Sequence, residues 1–154
     1  MARAYIGIGS NLGDRQANVE RAVELLGAAP GVRVVAVSPF IETEPVGGPE
    51  GQPKFLNGAA VLETTLEPLA LLDALQSIER ELGRRRAEIW EPRIIDLDLL
   101  LYEDRVLATW RLHVPHPRLR ERRFVLEPLA AIAPEAVDPI TGQTVGRLLE
   151  RLNG

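Results

Sequence analysis

The chain of 154 residues contains no cysteine. That excludes a disulfide framework, a thiolate zinc site and a cysteine nucleophile, and it fits a reducing compartment. No stretch approaches the roughly 18–20 apolar residues needed to span a membrane. The opening Met1-Ala-Arg-Ala4 lacks the apolar run and small-residue cleavage site of a signal peptide. A cytoplasmic protein is therefore expected, without a membrane partner. The net charge of −4 argues against general nucleic-acid binding. Standard phosphate-binding signatures are missing too. Gly7-Ile-Gly-Ser-Asn-Leu-Gly13 is one residue too long for the dinucleotide fingerprint, a P-loop would need Gly-Lys-Ser/Thr, and no Gly-x-Ser-x-Gly elbow occurs. The glycine-rich segment reads instead as a tight strand-to-helix turn.

Lysine is scarce as well: 17 of the 18 basic residues are arginine, and Lys54 is the exception. Eleven of those arginines fall between Arg80 and Arg123. An acidic chain that gathers guanidinium groups in one stretch points to a local anion site, because the planar fork binds phosphate bidentately. Hydrophobic residues at 45% and charged residues at 26% are ordinary for a globular protein. The length suits one domain over residues 1–154 with a core of its own.

Ala4–Gly9 reads as a strand leaving the core, and Asp14 as the N-cap of a helix with Val19, Ala22, Val23 and Leu26 on one face. Gly27 suits the stop of that helix. Val32–Val37 is β-branched and strand-like. Glu44–Pro53 carries three prolines and three glycines and is expected to be a functional loop. Phe55–Thr65 reads as a strand weakened by Gly58. Pro68 then suits the first turn of a helix with Leu71, Leu75, Ile78 and Leu82 on one face. Gly83–Pro92 is a second polar break, and Ile94–Tyr102 is the strongest strand. Arg118–Arg123 looks irregular, Phe124–Ile132 a short helix, Asp138–Gly142 a turn and Val145–Leu152 a final helix. The order β-α-β-β-α-β predicts an α+β, ferredoxin-like antiparallel sheet with helices on one face, plus C-terminal additions.

Asp96-Leu97-Asp98 carries the clearest chemistry. Residues two apart on a strand share a face, so both carboxylates project together while Leu97 and Leu99 enter apolar packing. Adjacent carboxylates call for a cation. Magnesium suits them, since it takes one or two protein carboxylates plus phosphate oxygens. The alternative is two surface acids on an edge strand; the flanking Ile94, Ile95, Leu99, Leu100 and Leu101 favour a core strand, where unpaired charge is costly. Arg84, Arg85, Arg86 and Arg93, beside Trp90, could close over phosphates. His113-Val-Pro-His-Pro117 contains both histidines. Prolines oppose a helical two-histidine metal site, which leaves His116 as a phosphate donor or this segment as a structural turn. Phe55 and Phe124 are either core or stacking platforms, and Asn57 shares a strand face with Phe55.

At this point the chain resembles the 6-hydroxymethyl-7,8-dihydropterin pyrophosphokinase family of folate biosynthesis. The resemblance rests on Ala4–Asp14, Thr43-Glu-Pro45, Gln52–Asn57, Ile78-Glu79, Leu82-Gly-Arg84, Trp90-Glu-Pro-Arg93, Ile95–Leu100 and Val114-Pro-His-Pro117, in that order and spacing. It implies transfer of the β,γ-diphosphate of ATP to a pterin hydroxymethyl group with release of AMP. Asp96 and Asp98 match ligands of two magnesium ions, and Arg84 and Arg93 match loop arginines over the phosphates, with Arg86 and Trp90 on the same loop. His116 and Arg122 match phosphate-binding residues. Gln76 and Glu79 match helix positions that meet the nucleoside, while Leu99, Arg111 and His113 match the adenine and ribose surroundings. The pterin is expected between Phe55 and Phe124, bound by Asn57, Thr43 and the Glu44-Pro45-Val46 backbone and facing Asp96. The family usually has Arg-Trp-Gly-Pro-Arg where this chain has Ile89-Trp-Glu-Pro-Arg93. The resemblance implies ATP and the pterin as partners, and a monomer is expected. Two other classes remain open on the residues alone: a two-metal phosphoesterase and a non-enzymatic ferredoxin-like binding module.

Overall fold

The computed structural model describes residues 1–44, 54–83 and 94–154. Strand β1 (Ala2–Ser10) leads to helix α1 (Arg15–Ala28), followed by strands β2 (Val32–Val37), β3 (Ile41–Thr43) and β4 (Phe55–Thr64). Helix α2 (Pro68–Glu81) precedes β5 (Asp96–Tyr102) and a small hairpin of β6 (Leu107–Ala108) and β7 (His113–Val114). A 3-10 turn at Leu119–Glu121 then joins helices α3 (Arg123–Ile132) and α4 (Val145–Asn153).

The local rules hold at most boundaries. The Asp14 carboxylate accepts from the Ala17 amide at 3.1 Å, and Pro68 occupies the start of α2, where its missing N–H costs nothing. Gly27 is different: it lies inside α1, and the chain turns at Pro30-Gly31, where Gly31 takes φ +79°. The stop therefore comes from the turn that needs a left-handed residue, three positions after the helix ends. Arg118–Arg123 is also more regular than expected, since it contains the 3-10 turn and the first residue of α3.

The main sheet has five strands in the order β2-β4-β1-β5, with β3 also paired to β4, and each pair is antiparallel. Both faces are covered. On one side Ile6 and Ile8 of β1, Leu62 of β4 and Leu97 and Leu99 of β5 pack with Val19, Ala22 and Leu26 of α1 and Leu71, Leu75 and Ile78 of α2. On the other, Ala59 and Val61 of β4 and Leu100 and Leu101 of β5 pack with Leu126 and Leu129 of α3 and Val145 and Leu148 of α4. The expectation of helices on one face thus holds for α1 and α2. The C-terminal additions bury the second face, which the alternating residues of the same strands make apolar.

A bulge refines that alternation. Tyr5 pairs with Leu101 but Ile6 pairs with Leu99, so Leu100 is an extra residue on β5. The run Leu99-Leu100-Leu101 serves both cores, with Leu99 on one side and Leu100 and Leu101 on the other. Strand β5 is also the outer strand of the sheet. It reads as a core strand because its faces are buried, and its outer edge is bonded by the His116 amide and the Glu79 carboxylate rather than by another strand among the described residues.

Candidate active site

The alternation that sends Leu97 and Leu99 into the α1–α2 core turns Asp96 and Asp98 toward the opposite face, both half-buried. Their neighbours on β1 are glycines: Gly9 pairs with Asp96 and Gly7 with Asp98. Across β1, Gly9 also pairs with Asn57 of β4, and Asn57 pairs with Ile41 of β3. Two side-chain-free positions in mid-sheet leave a depression floored by backbone. A Cβ on Gly9 would stand 2.7 Å from Asn57 Oδ1 and 3.5 Å from the Phe55 ring.

One pocket is lined by Asp96, Asp98, Asn57, Thr43, Phe55 and Phe124, with Glu44, Arg122 and the β1 glycines completing it. Asn57 Nδ2 donates to Thr43 Oγ1, which fixes the amide so that its remaining donor and acceptor are directed rather than free to flip. The expected pterin residues Thr43, Glu44, Phe55, Asn57 and Phe124 therefore meet the two aspartates in one cavity.

The segment after β7 runs beside β5 to Arg122, which lines the pocket, whereas His116 is not among the lining residues. The His116 amide donates to Leu100 O at 2.9 Å, tying this segment to β5. His116 Nδ1 accepts from the Arg118 amide at 3.2 Å, which assigns the imidazole proton to Nε2. Burial and the neighbouring Arg122 cation hold the His116 pKa below the ordinary histidine value, against a smaller opposing pull from Asp96. The ring is thus a neutral donor near pH 7. Arg122 precedes the first residue of α3, and its guanidinium lies 5.5 Å from the Phe124 ring centroid, within cation–π range. The positive end of the α3 dipole and the Arg122 charge face the same pocket, a setting that favours an anion.

The residues matched to the nucleoside lie apart from this cavity. Arg111 pairs with Asp73 at 2.6 Å and donates to Gln76 Oε1 at 3.3 Å, bridging the β6–β7 hairpin to α2. His113 is exposed on β7, and the Leu99 side chain is in the α1–α2 core. Glu79 is 4% exposed, and its carboxylate accepts from the Leu97 amide at 2.8 Å, bracing α2 against β5 between the two aspartates. Pro45, Val46, Arg84, Arg86, Trp90 and Arg93, together with the Ile89 and Glu91 departures, lie outside the described residues.

The 7,8-dihydro-6-hydroxymethylpterin-pyrophosphokinase family matches residues 5–134 of the chain. The chain belongs to this family. A pyrophosphokinase of Methylorubrum extorquens, named for 2-amino-4-hydroxy-6-hydroxymethyldihydropteridine, is 49% identical over 153 residues, covering 99% of this chain and 95% of its own length. The Bacillus subtilis protein of the same name is 46% identical over 155 residues, covering 98% and 92%. The folic acid synthesis protein fol1 of Schizosaccharomyces pombe is 46% identical over 149 residues; the match covers 97% of this chain but 20% of that longer protein. Among solved structures, wild-type Plasmodium falciparum HPPK-DHPS with pteroate superposes with a TM-score of 0.75 at 14% identity, covering 97% of this chain and 44% of that one. That likeness establishes a shared fold.

For a pyrophosphokinase of this family, the donor set can be tested against magnesium. Among the described residues, no group of three or more histidine or acidic side chains could hold a metal. Magnesium does not need one: two carboxylates with hard oxygens, open to a cavity that also admits phosphate, match its preference for few protein ligands. Asp96 and Asp98 therefore fit. Sequence reasoning placed Gly7 and Gly9 at the end of a strand but weighed them only as part of a strand-to-helix turn, and so missed them as the floor of the site. The signal was their i, i+2 spacing, which on a strand clears one face. It also missed Ser10, a buried residue whose hydroxyl donates to Ile94 O and joins the end of β1 to the approach to β5.

Proposed function

We propose that this protein transfers the β,γ-diphosphate of MgATP to the hydroxymethyl group of 6-hydroxymethyl-7,8-dihydropterin, releasing AMP, in folate biosynthesis. The observation that carries this reading is the meeting of Asp96 and Asp98 with Asn57, Phe55 and Phe124 in one pocket, in a chain of the pyrophosphokinase family. The hydroxymethyl oxygen forms a bond to the β-phosphorus as the bond to the α,β-bridging oxygen breaks, AMP leaves, and the hydroxyl proton passes to water. No covalent intermediate on the protein is involved.

Each residue matched to the family then has a task. Asn57, oriented by Thr43, binds the edge of the pterin ring, and Phe55 and Phe124 hold its faces. Arg122 and the Nε2–H of neutral His116 bind phosphate oxygens. Asp96 and Asp98 hold two magnesium ions, which when bound neutralise charge on the transferring phosphates. By the family resemblance Arg84, Arg86, Trp90 and Arg93 act on the phosphates; Gln76, Arg111 and His113 meet the nucleoside with the backbone of Leu99, buried Glu79 braces that side through the Leu97 amide, and Glu44, Pro45 and Val46 bind the pterin through backbone.

The same proposal includes a ferredoxin-like fold. It is supported by the order β1-α1-β2-β4-α2-β5 and the sheet order β2-β4-β1-β5. It also treats residues 1–154 as one domain, acting as a monomer in the cytoplasm. Size-exclusion chromatography with light scattering tests the monomer.

The deciding experiment measures AMP released from MgATP with and without the hydroxymethyl-dihydropterin, for the natural chain and for Asp98→Ala. AMP should appear only with pterin, and the variant should lose about a thousandfold or more, since several kcal/mol of charge stabilisation is removed. Equal AMP without pterin would establish a phosphoesterase instead. No AMP from the folded natural chain with or without pterin would leave a binding module, and full activity in Asp98→Ala without magnesium would mean unrelated chemistry.

A further inference from the structure

We propose that the pair of half-buried Arg120 and fully buried Asp138 is a positioning device that sets the orientation of His116 and Arg122. This rests on the phosphate-binding roles given to those two residues above.

Asp138 lies on the connection between α3 and α4 and is 0% exposed. Arg120 Nε donates to its Oδ2 at 2.5 Å and an Arg120 terminal nitrogen to its Oδ1 at 3.0 Å, a bidentate fork. The Ile140 amide also donates to Oδ1 at 3.0 Å and the Thr141 hydroxyl to Oδ2 at 2.9 Å, so each carboxylate oxygen accepts two hydrogen bonds. The turn that presents the carboxylate is itself closed, with the Asp138 amide donating to Gln143 O at 2.9 Å and the Gly142 amide to Asp138 O at 2.8 Å. This is a preformed anionic socket that Arg120 enters.

Arg120 stands at the centre of the 3-10 turn Leu119–Glu121, which Arg118 and Arg122 cap and which a turn starting at His116 precedes. The Leu119 amide donates to His116 O at 3.1 Å, and the Val125 and Leu126 amides donate to Arg122 O at 3.0 Å. Leu119, fully buried against the α3–α4 core, fixes how deep the turn sits. Leu119 and the His116 amide bond to Leu100 O hold the segment to the core and to β5. The fork adds a side-chain constraint at the centre of the turn, because two parallel hydrogen bonds define a plane. Arg118, Arg120, Arg122 and Arg123 also crowd four cations into six residues, and Asp138 is a buried counter-charge for that cluster. A buried ion pair is weak evidence for stability and better evidence for a fixed arrangement. Here the arrangement lies between two candidate phosphate-binding residues.

The test uses the whole chain and three variants: Asp138→Asn, Arg120→Lys, and the double variant Arg120→Met with Asp138→Leu, which replaces the pair by apolar packing. Calorimetric titration measures binding of magnesium with α,β-methylene-ATP, pterin fluorescence measures binding of the hydroxymethyl-pterin, and thermal melting reports folding. The folded variants should bind the ATP analogue about tenfold more weakly, the loss of one well-aimed charge-assisted hydrogen bond. Pterin affinity should fall clearly less than affinity for the analogue, because Phe55 and Asn57 are not on this segment and only Phe124, beside Arg122, adjoins it. Arg120→Lys, which keeps the charge but not the fork, should fall between the natural chain and the double variant. Wild-type affinity for the ATP analogue in the folded double variant would overturn the proposal and leave the pair a stability element. Equal weakening for both ligands would overturn it too. Failure of the natural chain to bind the magnesium–analogue complex would instead defeat the functional reading on which it rests.

Discussion

The two faces of the sheet use the same strands and finish differently. On the α1–α2 face, Ile6, Ile8, Leu62, Leu97 and Leu99 meet two helices, and hydrocarbon fills the space between them. On the α3–α4 face, apolar packing begins only at Ala59, Val61, Leu100 and Leu101. Beyond them lie Gly7, Gly9, Asn57, Asp96 and Asp98, and α3 presents its N-terminal end rather than its flank. One face closes and holds the fold; the other is left partly open and holds the chemistry. Strand alternation keeps the two tasks on the same residues without mixing them, since Leu97 separates the two aspartates and points away from both.

That contrast can be broken at either face. Leu75→Ala, at a fully buried position of α2, should cost about 2–5 kcal/mol of stability by leaving a cavity. Thermal melting should show it, while turnover at low temperature stays within about twofold of the natural chain. A large loss of turnover in the folded variant would mean that the closed face is not only structural. Gly9→Ala should act the other way. Its Cβ would press on Asn57 Oδ1, at an overpacking cost of about 1–3 kcal/mol. Pterin affinity should fall about tenfold as Asn57 shifts, a change measurable by fluorescence titration. Unchanged affinity would show that the floor of the pocket tolerates a side chain. By contrast, Gly27→Ala on the exposed side of α1, where a new Cβ meets nothing within 4 Å, should stabilise the protein by about 0.5–1 kcal/mol and leave both ligands unaffected.

Acidity should separate the faces more gently. His116 titrates below the ordinary histidine value in the folded protein. The unfolded chain therefore takes up its proton first, and stability should decline as pH drops from about 6.5 toward the folded value. Asp138 behaves alike at lower pH. Burial raises its pKa, but the Arg120, Ile140 and Thr141 hydrogen bonds outweigh that and hold it below the ordinary value. Its contribution is present above the unfolded value near pH 4 and lost as pH falls through the folded one. Melting curves between pH 7.5 and 3 should show both declines, and His116→Asn should remove the upper one only.

Much of this was legible because helices and strands here obey local rules. Asp14, Pro68 and the Leu71-Leu75-Ile78 stripe each specify their element from near neighbours. Asp96 and Asp98 were readable as a pair because period two needs no tertiary information. What escaped depends on contacts distant in sequence. Gly27 looks like a helix stop until Gly31 is seen to carry the turn. The second buried face requires knowing that α3 and α4 return to β4 and β5. Glu79 matched a nucleoside position by sequence; its bond to Leu97, 18 residues away, appears only when α2 and β5 are packed. Arg120 and Asp138 are likewise 18 residues apart and carry no local motif.

Gly58 has a further consequence. Its backbone lines the pocket, and the place where its Cβ would stand is taken on the other side by the Phe40 ring, 2.5 Å away. At that point the partition between ligand and core is a single peptide thick. Substrate fit and core packing therefore cannot be adjusted independently there. A change at Phe40, which is not among the residues lining the pocket, alters how firmly the pocket wall is backed, and altered specificity can arise from behind the site.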